Sequence, residues 1–392
     1  MDKLIINLCF YVNPNIYLKY MIIIILLFNC LLINCSIIDI PIDIYDESVF
    51  PNPFLLFYNE KDGIRISPNT YLTSSLFWFT FKKIWNQTSI ISKDYYITLD
   101  EKYNTFKYET SIIFNERKIL NNYKILVSNE GIYNRDAGFG LGLHFSDESY
   151  SIVHSLYKQK QISHLNFAFY NVIKGMNGHL YIGGVPNNKH TQLQYKGTIK
   201  IDESLPTWGF TLTSIKYNDK VYEINQKCII HSKIDNMIVS DKVYELFYGE
   251  MIKDKVEKGI CKEITEGKLY RQRKVSCMKK KLEYLGLMEF IFGDVKIKMN
   301  VTDLVNDKSE VQIVSNGNPR KYYGYENEGI LGISFINKFN YTIFDYEKRT
   351  VDIFSDTFSI DIVLKMNRNI KGISLMNIFI CLFNLIILFI IH

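Results

Sequence analysis

EGILGISFINKFNYTIFDYEKRTVDIF, residues 328–354, holds a Gly-rich apolar piece, EGILGISF (328–335), and then an apolar strand pattern, NYTIFDY (340–346). A second Gly-rich apolar piece, DAGFGLGL, stands at 136–143. Each lies downstream of an apolar strand that runs into a small polar turn, at 64–79 and again at 228–240. The order strand, turn, Gly-rich piece thus occurs twice, and the natural reading is two similar halves joined near residue 195. No tandem repeat of short period accompanies it.

Around these pieces the pattern is mostly β. TSIIF (110–114), LNFAFY (165–170), HLYIGGV (179–185), GFTLTSI (209–215) and KCIIH (227–231) are apolar or alternating runs separated by Asn, Gly, Asp and Lys clusters. Helical patterning is confined to a few stretches, notably 148–162 and 240–259. The chain has 392 residues, 47% hydrophobic and 22% charged, enough for one large or two medium domains with a sizeable core.

Two terminal segments stand apart. After Lys19 the run Met21–Ser36 has the basic flank, apolar core and small-residue end of a secretory signal, so 1–36 is expected to be a signal peptide, with an uncleaved signal anchor as the alternative. Either way the body is expected in the secretory pathway, lumenal or at the cell surface. At the other end Ile373–Ile391 is long and apolar enough for a membrane helix. Its basic neighbours Lys365, Arg368 and Lys371 lie on the body side, against the positive-inside rule. A lipid-anchor signal with Ser355 as the small attachment residue fits equally. Residues 357–371 then form a polar spacer and 372–392 a hydrophobic membrane segment or lipid-anchor signal, tethering the body to a membrane.

Of the seven cysteines, Cys9, Cys30, Cys35 and Cys381 fall in the terminal segments. Cys228, Cys261 and Cys277 remain for an oxidising compartment, and the expectation is a Cys261–Cys277 disulfide with Cys228 buried in a strand. No CxxC or other metal-ligand spacing occurs, and no cofactor or nucleic-acid partner is implied. Basic residues are concentrated between Ile252 and Lys281, above all in KLYRQRKVSCMKKK. A solvated surface loop is the favoured reading, and a patch for an anionic partner or lipid head groups is the functional one.

Taken together, these residues resemble the pepsin-like aspartic proteases over nearly the whole body. NGHLYIGGV followed by YKGTIKI and TWGFTLTSIKYNDKVY is similar to that family's passage from first lobe to second. EGILGISFINKFNYTIFDYEKRTVDIF resembles its closing signature, and DAGFGLGL stands where the first lobe carries Asp-Gly-Ile-Leu-Gly-Leu. The resemblance implies a mostly β, bilobal pepsin-like fold with an interlobe cleft, with lobes at 37–195 and 196–356.

The family's chemistry needs two aspartates, one per lobe, each in Asp-Thr/Ser-Gly-Thr/Ser. They share a proton and activate a water between them. Laid on TYLTSSLFWF (70–79), the first loop puts Tyr71 at the aspartate and Thr73 at the glycine, while Ser74, Ser75 and Trp78 keep the loop frame. In CIIHSKIDN, His231 stands at the second aspartate, Ser232 follows it, and Lys233 replaces the glycine. Both carboxylates are missing. A phenol titrates near pH 10, so Tyr71 is no base, and His231 alone has no acid beside it. The flap hairpin falls in ITLDEKYNTFKYETSI (97–112), where Leu99 takes the place of the family's tyrosine or, after a shift, Tyr103 does. The body begins close behind the signal, so no inhibitory pro-segment is expected.

Other candidates read as structural. Asp235 suits a surface or capping role, Ser74 and Ser75 hydrogen-bond their loop, and His144, His154, His164, His179 and His190 lack ligand spacing. Asn86, Asn300 and Asn340 sit in glycosylation sequons, the last on a strand and so spurious. The expectation is a monomeric, membrane-tethered pseudoprotease that holds a peptide or protein ligand in its cleft. A divergent aspartic-type endopeptidase and a structural surface protein with a filled cleft are the alternatives.

Overall fold

A computed structural model describes residues 37–43, 52–53, 55–58, 63–66, 69–71, 78–80, 90–97, 102–114, 118–128, 137–143, 151–170, 178–186, 194–205, 207–217, 219–232, 234, 236–266, 272–278, 286–300, 304–306, 309–315 and 329–355. Between 44 and 111 it describes the backbone alone. The first half gives β1 (Ile38–Asp43), β2 (Asn52–Pro53), β3 (Leu55–Tyr58), β4 (Gly63–Ile66), β5 (Asn69–Tyr71) and β6 (Trp78–Thr80). It continues with β7 (Ile90–Ile97), β8 (Lys102–Phe114), β9 (Lys118–Ser128), β10 (Ala137–Gly140), α1 (Ile152–Lys158), β11 (Asn166–Tyr170) and β12 (Gly178–Ile182). The second half opens with β13 (Gln194–Lys200), β14 (Gly209–Tyr217), β15 (Lys220–Ile230), β16 (Met237–Val239) and α2 (Asp241–Phe247). A π-helical turn (Tyr248–Ile252) leads into α3 (Lys253–Glu257), β17 (Cys261–Glu266), β18 (Gln272–Cys277), β19 (Leu287–Phe292) and β20 (Val295–Asn300). β21 (Ile313–Ser315), β22 (Gly329–Leu331), α4 (Ile333–Ile336), β23 (Tyr341–Asp345) and β24 (Thr350–Ser355) complete it.

Among the described residues these strands make three large sheets and one hairpin. One large sheet belongs to each half: β3 to β10 form the first, and β20-β19-β14-β15-β22-β16-β21 the second. The third, β13-β24-β23-β11-β12-β1-β2, takes strands from both halves and joins them. The chain is therefore mostly β and bilobal, as the repeated pattern predicts.

Burial follows the sequence pattern. β20 buries Val295, Ile297 and Met299 and leaves the lysines between them half-exposed, the alternation of a strand with one face inward. It pairs with β19 through a two-residue turn at Gly293, whose φ of +60° an L side chain rarely adopts. β23, central in the joining sheet, is buried on every residue. Ser151 and Ser240 cap α1 and α2 by accepting from the backbone N–H groups of His154 and Val243. One continuous apolar core runs from Ile125 and Leu141 in the first half to Trp208, Phe292 and Phe344 in the second.

The expected disulfide forms: Cys261 and Cys277 face each other across the β17–β18 hairpin. Cys228 is free and buried in β15. Asn340 is buried, which argues against glycosylation there, and Asn86 lies outside the described residues. Among the described residues no helix is long and apolar enough to cross a membrane, and both apolar terminal runs lie outside them.

Candidate active-site loops

The two halves build the same strand arrangement. In the first, β5 runs parallel to β10, with Thr70 opposite Phe139 and Tyr71 opposite Gly140; β10 is antiparallel to β6, and β6 parallel to β9. In the second, β15 runs parallel to β22, with Ile230 opposite Leu331; β22 is antiparallel to β16, and β16 parallel to β21. Each Gly-rich piece is thus a short strand clamped between the two limbs of a loop. Phe139 and Leu331 hold equivalent places, as do Gly140 and Gly332 one residue on. Tyr71 and His231 therefore stand at matching registers of the two halves, and neither is a carboxylate.

The second loop is the better defined. β15 is exposed at its start and buried over its last residues, so it carries His231 into the interior, where it is half-buried. The His231 backbone N–H donates to the Leu331 carbonyl at 3.1 Å, and that of Ile333 to Ile234 at 2.8 Å, which closes the loop on α4. Ser232 is fully buried. Gly332 has an ordinary φ of -80°, and its glycine answers to space rather than strain. A Cβ there would lie 2.3 Å from the Asn236 carbonyl oxygen and 2.4 Å from that of Ile234. Thr73, Ser74, Ser75, Lys233 and Asp235 lie outside the described residues, and Trp78 opens β6 opposite Gly138. Tyr103 lies opposite Tyr96 where β7 pairs with β8, while Leu99 lies outside the described residues.

A tie between the halves sits next to the first loop. The Leu141 carbonyl, one residue past Gly140, accepts the Trp208 indole N–H at 2.7 Å and the Tyr346 hydroxyl at 3.1 Å. Both donors come from the second half. The Trp208 ring is buried against Phe167, Phe344 and Tyr346, with centroids 5.1–5.8 Å away. Sequence reading places Trp208 in a strand motif but misses its acceptor. The signal was available in one form only: a tryptophan in an apolar strand needs a partner for its N–H.

Burial pushes the Cys228 thiol up to about 12, three residues before His231, so it stays protonated. His154 hydrogen-bonds Ser151, His179 Nδ1 is 2.7 Å from Asp39 Oδ1, and His164 is exposed. Two residues of the basic stretch are engaged by acids, Arg273 with Glu245 at 2.6 Å and Lys274 with Glu310 at 2.7 Å. A cavity of about 520 Å³ lined by Lys216, Tyr217, Glu250 and Glu289 lies at the far end of the β14–β15 hairpin from His231.

A model of the eukaryotic aspartyl protease family matches residues 112–355, which leaves the loop at 70–78 outside the matched stretch. No curated protein sequence matches the chain. Among solved structures, the crystal structure of aspartic proteinase from Irpex lacteus superposes with a TM-score of 0.61 at 14% identity, over 82% of this chain and 98% of that one. At that identity the likeness is one of fold.

Proposed function

Because the chain belongs to the eukaryotic aspartyl protease family, we propose that it is a pseudoprotease, a cleft protein that holds an extended peptide or protein segment without hydrolysing it. The observation that supports this is the matched register of Tyr71 and His231 at the ends of β5 and β15, where the resemblance puts the two aspartates. Hydrolysis in this family depends on two carboxyl groups that share one proton because they cannot both ionise, which leaves one as a base and the other as an acid. A tyrosine hydroxyl at ordinary pH is a neutral donor, and one imidazole has no partner acid to polarise the scissile carbonyl. Thr73 and Lys233 in place of glycines add bulk where the backbone would approach the pair.

Binding is a separate matter from chemistry. A groove between lobes can hold an extended segment by main-chain pairing, with pockets for alternate side chains, and neither needs the carboxylates. The apolar run Ile373–Ile391 would tether the body to a membrane.

The test is pepstatin, whose hydroxyl mimics the tetrahedral transition state between two carboxylates. Transition-state mimics outbind substrates by about a hundredfold or more only where that pair exists. Calorimetry of the purified protein at acidic pH should show weak binding or none. Nanomolar binding, lost in Tyr71→Phe or His231→Ala, would overturn the reading.

A further inference from the structure

The cavity at the end of the β14–β15 hairpin remote from His231 measures about 520 Å³, within the range of about 300–1,000 Å³ typical of small-ligand pockets. One wall is the face of the second sheet turned away from the main core. On β19, Met288 and Phe290 point into that core, and Glu289 between them points the other way. The opposite wall is the π-helical turn with α3, which contribute Glu250, Met251 and Asp254.

Three charged residues form a row on the sheet wall. The pairing sets Lys216 opposite Glu289 and Glu289 opposite Lys298, so on three adjacent strands a carboxylate stands between two lysines. All three line the cavity. Glu289 is 7% exposed, yet among the described residues neither a hydrogen bond nor an ion pair reaches its carboxylate. Lys216 and Lys298 are likewise unengaged there. A carboxylate so far removed from water is normally paired. The acids of the opposite wall already have partners: Glu250 has the Tyr222 hydroxyl at 2.7 Å and Lys220 at 3.4 Å, and Asp254 has Lys255 at 2.9 Å. What the cavity offers a ligand is therefore one buried carboxylate flanked by two lysines, with Tyr217 and Met251 as apolar contact.

This arrangement discriminates between ligands. The two lysines repel a metal ion, and among the described residues no three His, Cys, Asp or Glu side chains are placed to hold one. A simple anion would satisfy the lysines and face Glu289 with like charge, and a simple cation would do the reverse. The complement of a carboxylate between two ammonium groups is an ammonium group between two carboxylates, the pattern of aspartate and glutamate.

We propose that this cavity binds a free acidic amino acid, with Glu289 accepting from the ligand's ammonium group and Lys216 and Lys298 donating to its two carboxylates. The 11 residues of β15 separate the site from His231, and its occupation is independent of whether the cleft hydrolyses peptides.

Calorimetric titration of the full-length protein, purified in detergent at neutral pH, with L-glutamate and L-aspartate decides the matter. Saturable binding of one equivalent is expected, with a Kd at or below about 1 mM. Glutarate lacks the ammonium group and γ-aminobutyrate lacks the second carboxylate, and each should bind about tenfold more weakly or worse. Glu289→Gln keeps the shape of the side chain and should weaken glutamate binding by about tenfold or more. Lys216→Met and Lys298→Met should each weaken it by about fivefold. Both lysines are half-exposed, so these two variants still test the site should the glutamine variant fold poorly. No heat beyond dilution at about 10 mM of either amino acid would overturn the proposal. So would glutarate binding as tightly as glutamate, or an affinity left unchanged by the substitutions, which would put the amino acid elsewhere on the protein.

Discussion

Trp208→Ala will lower the unfolding free energy by about 4 kcal/mol, as large buried aromatics replaced by alanine do. The side chain is wholly buried, touches three aromatic rings contributed by both halves, and gives its N–H to the carbonyl of Leu141. Alanine leaves a cavity that strands held in three sheets cannot readily collapse into. Trp208→Phe separates the parts: it keeps most of the ring packing and removes the hydrogen bond. Leu141 would retain the Tyr346 hydroxyl, so the cost should fall to about 1–2 kcal/mol. Urea unfolding followed by fluorescence measures both, and a loss below about 1 kcal/mol for the alanine variant would show that the tie is dispensable. Because Leu141 follows Gly140 directly, the alanine variant should also loosen the first loop against the second half.

Gly332→Ala should be nearly as damaging, about 3 kcal/mol or more, although it adds a single methyl group. The obstacle is the pair of backbone oxygens on Ile234 and Asn236, both under 2.5 Å from the new Cβ, and backbone in a closed loop cannot swing aside as a side-chain tip would. Relief would require opening the loop that follows His231, with loss of the Ile333 to Ile234 hydrogen bond. Gly249 is the control, since a Cβ there meets nothing within 4 Å. It sits in the π-helical turn, where alanine is the better former, so Gly249→Ala should be neutral or stabilising by about 0.5 kcal/mol. Equal thermal midpoints for the two variants would contradict the close approach at Gly332.

What the sequence reveals of this protein depends on whether a feature is written twice or in one place. The repeated order of strand, turn and Gly-rich piece exposes the two halves and points to Tyr71 and His231, because Ser74, Ser75 and Trp78 still frame one loop and Ser232 the other. Apolar or alternating runs such as TSIIF and GFTLTSI are local signals and yield their strands directly. The Leu141 acceptor is invisible because a backbone carbonyl has no letter of its own. His179 reads as an ordinary strand residue, yet it meets Asp39 across 140 positions, a pairing fixed only by the β1–β12 register. The rings of His179, Tyr170, Tyr341, Phe354 and Tyr195 follow one another across the joining sheet for the same reason: they come from five strands, and nothing short of the full pairing order lines them up.

The central claim is that the cleft holds peptides and leaves them intact. Incubating the purified protein with a diverse peptide library from acidic to neutral pH, and reading by mass spectrometry both new peptide termini and the peptides that stay bound, tests the two halves of that claim together. The account predicts a retained subset sharing side-chain preferences at alternate positions, with no new termini at any pH. New termini that vanish in the Tyr71→Phe, His231→Ala double variant would contradict it.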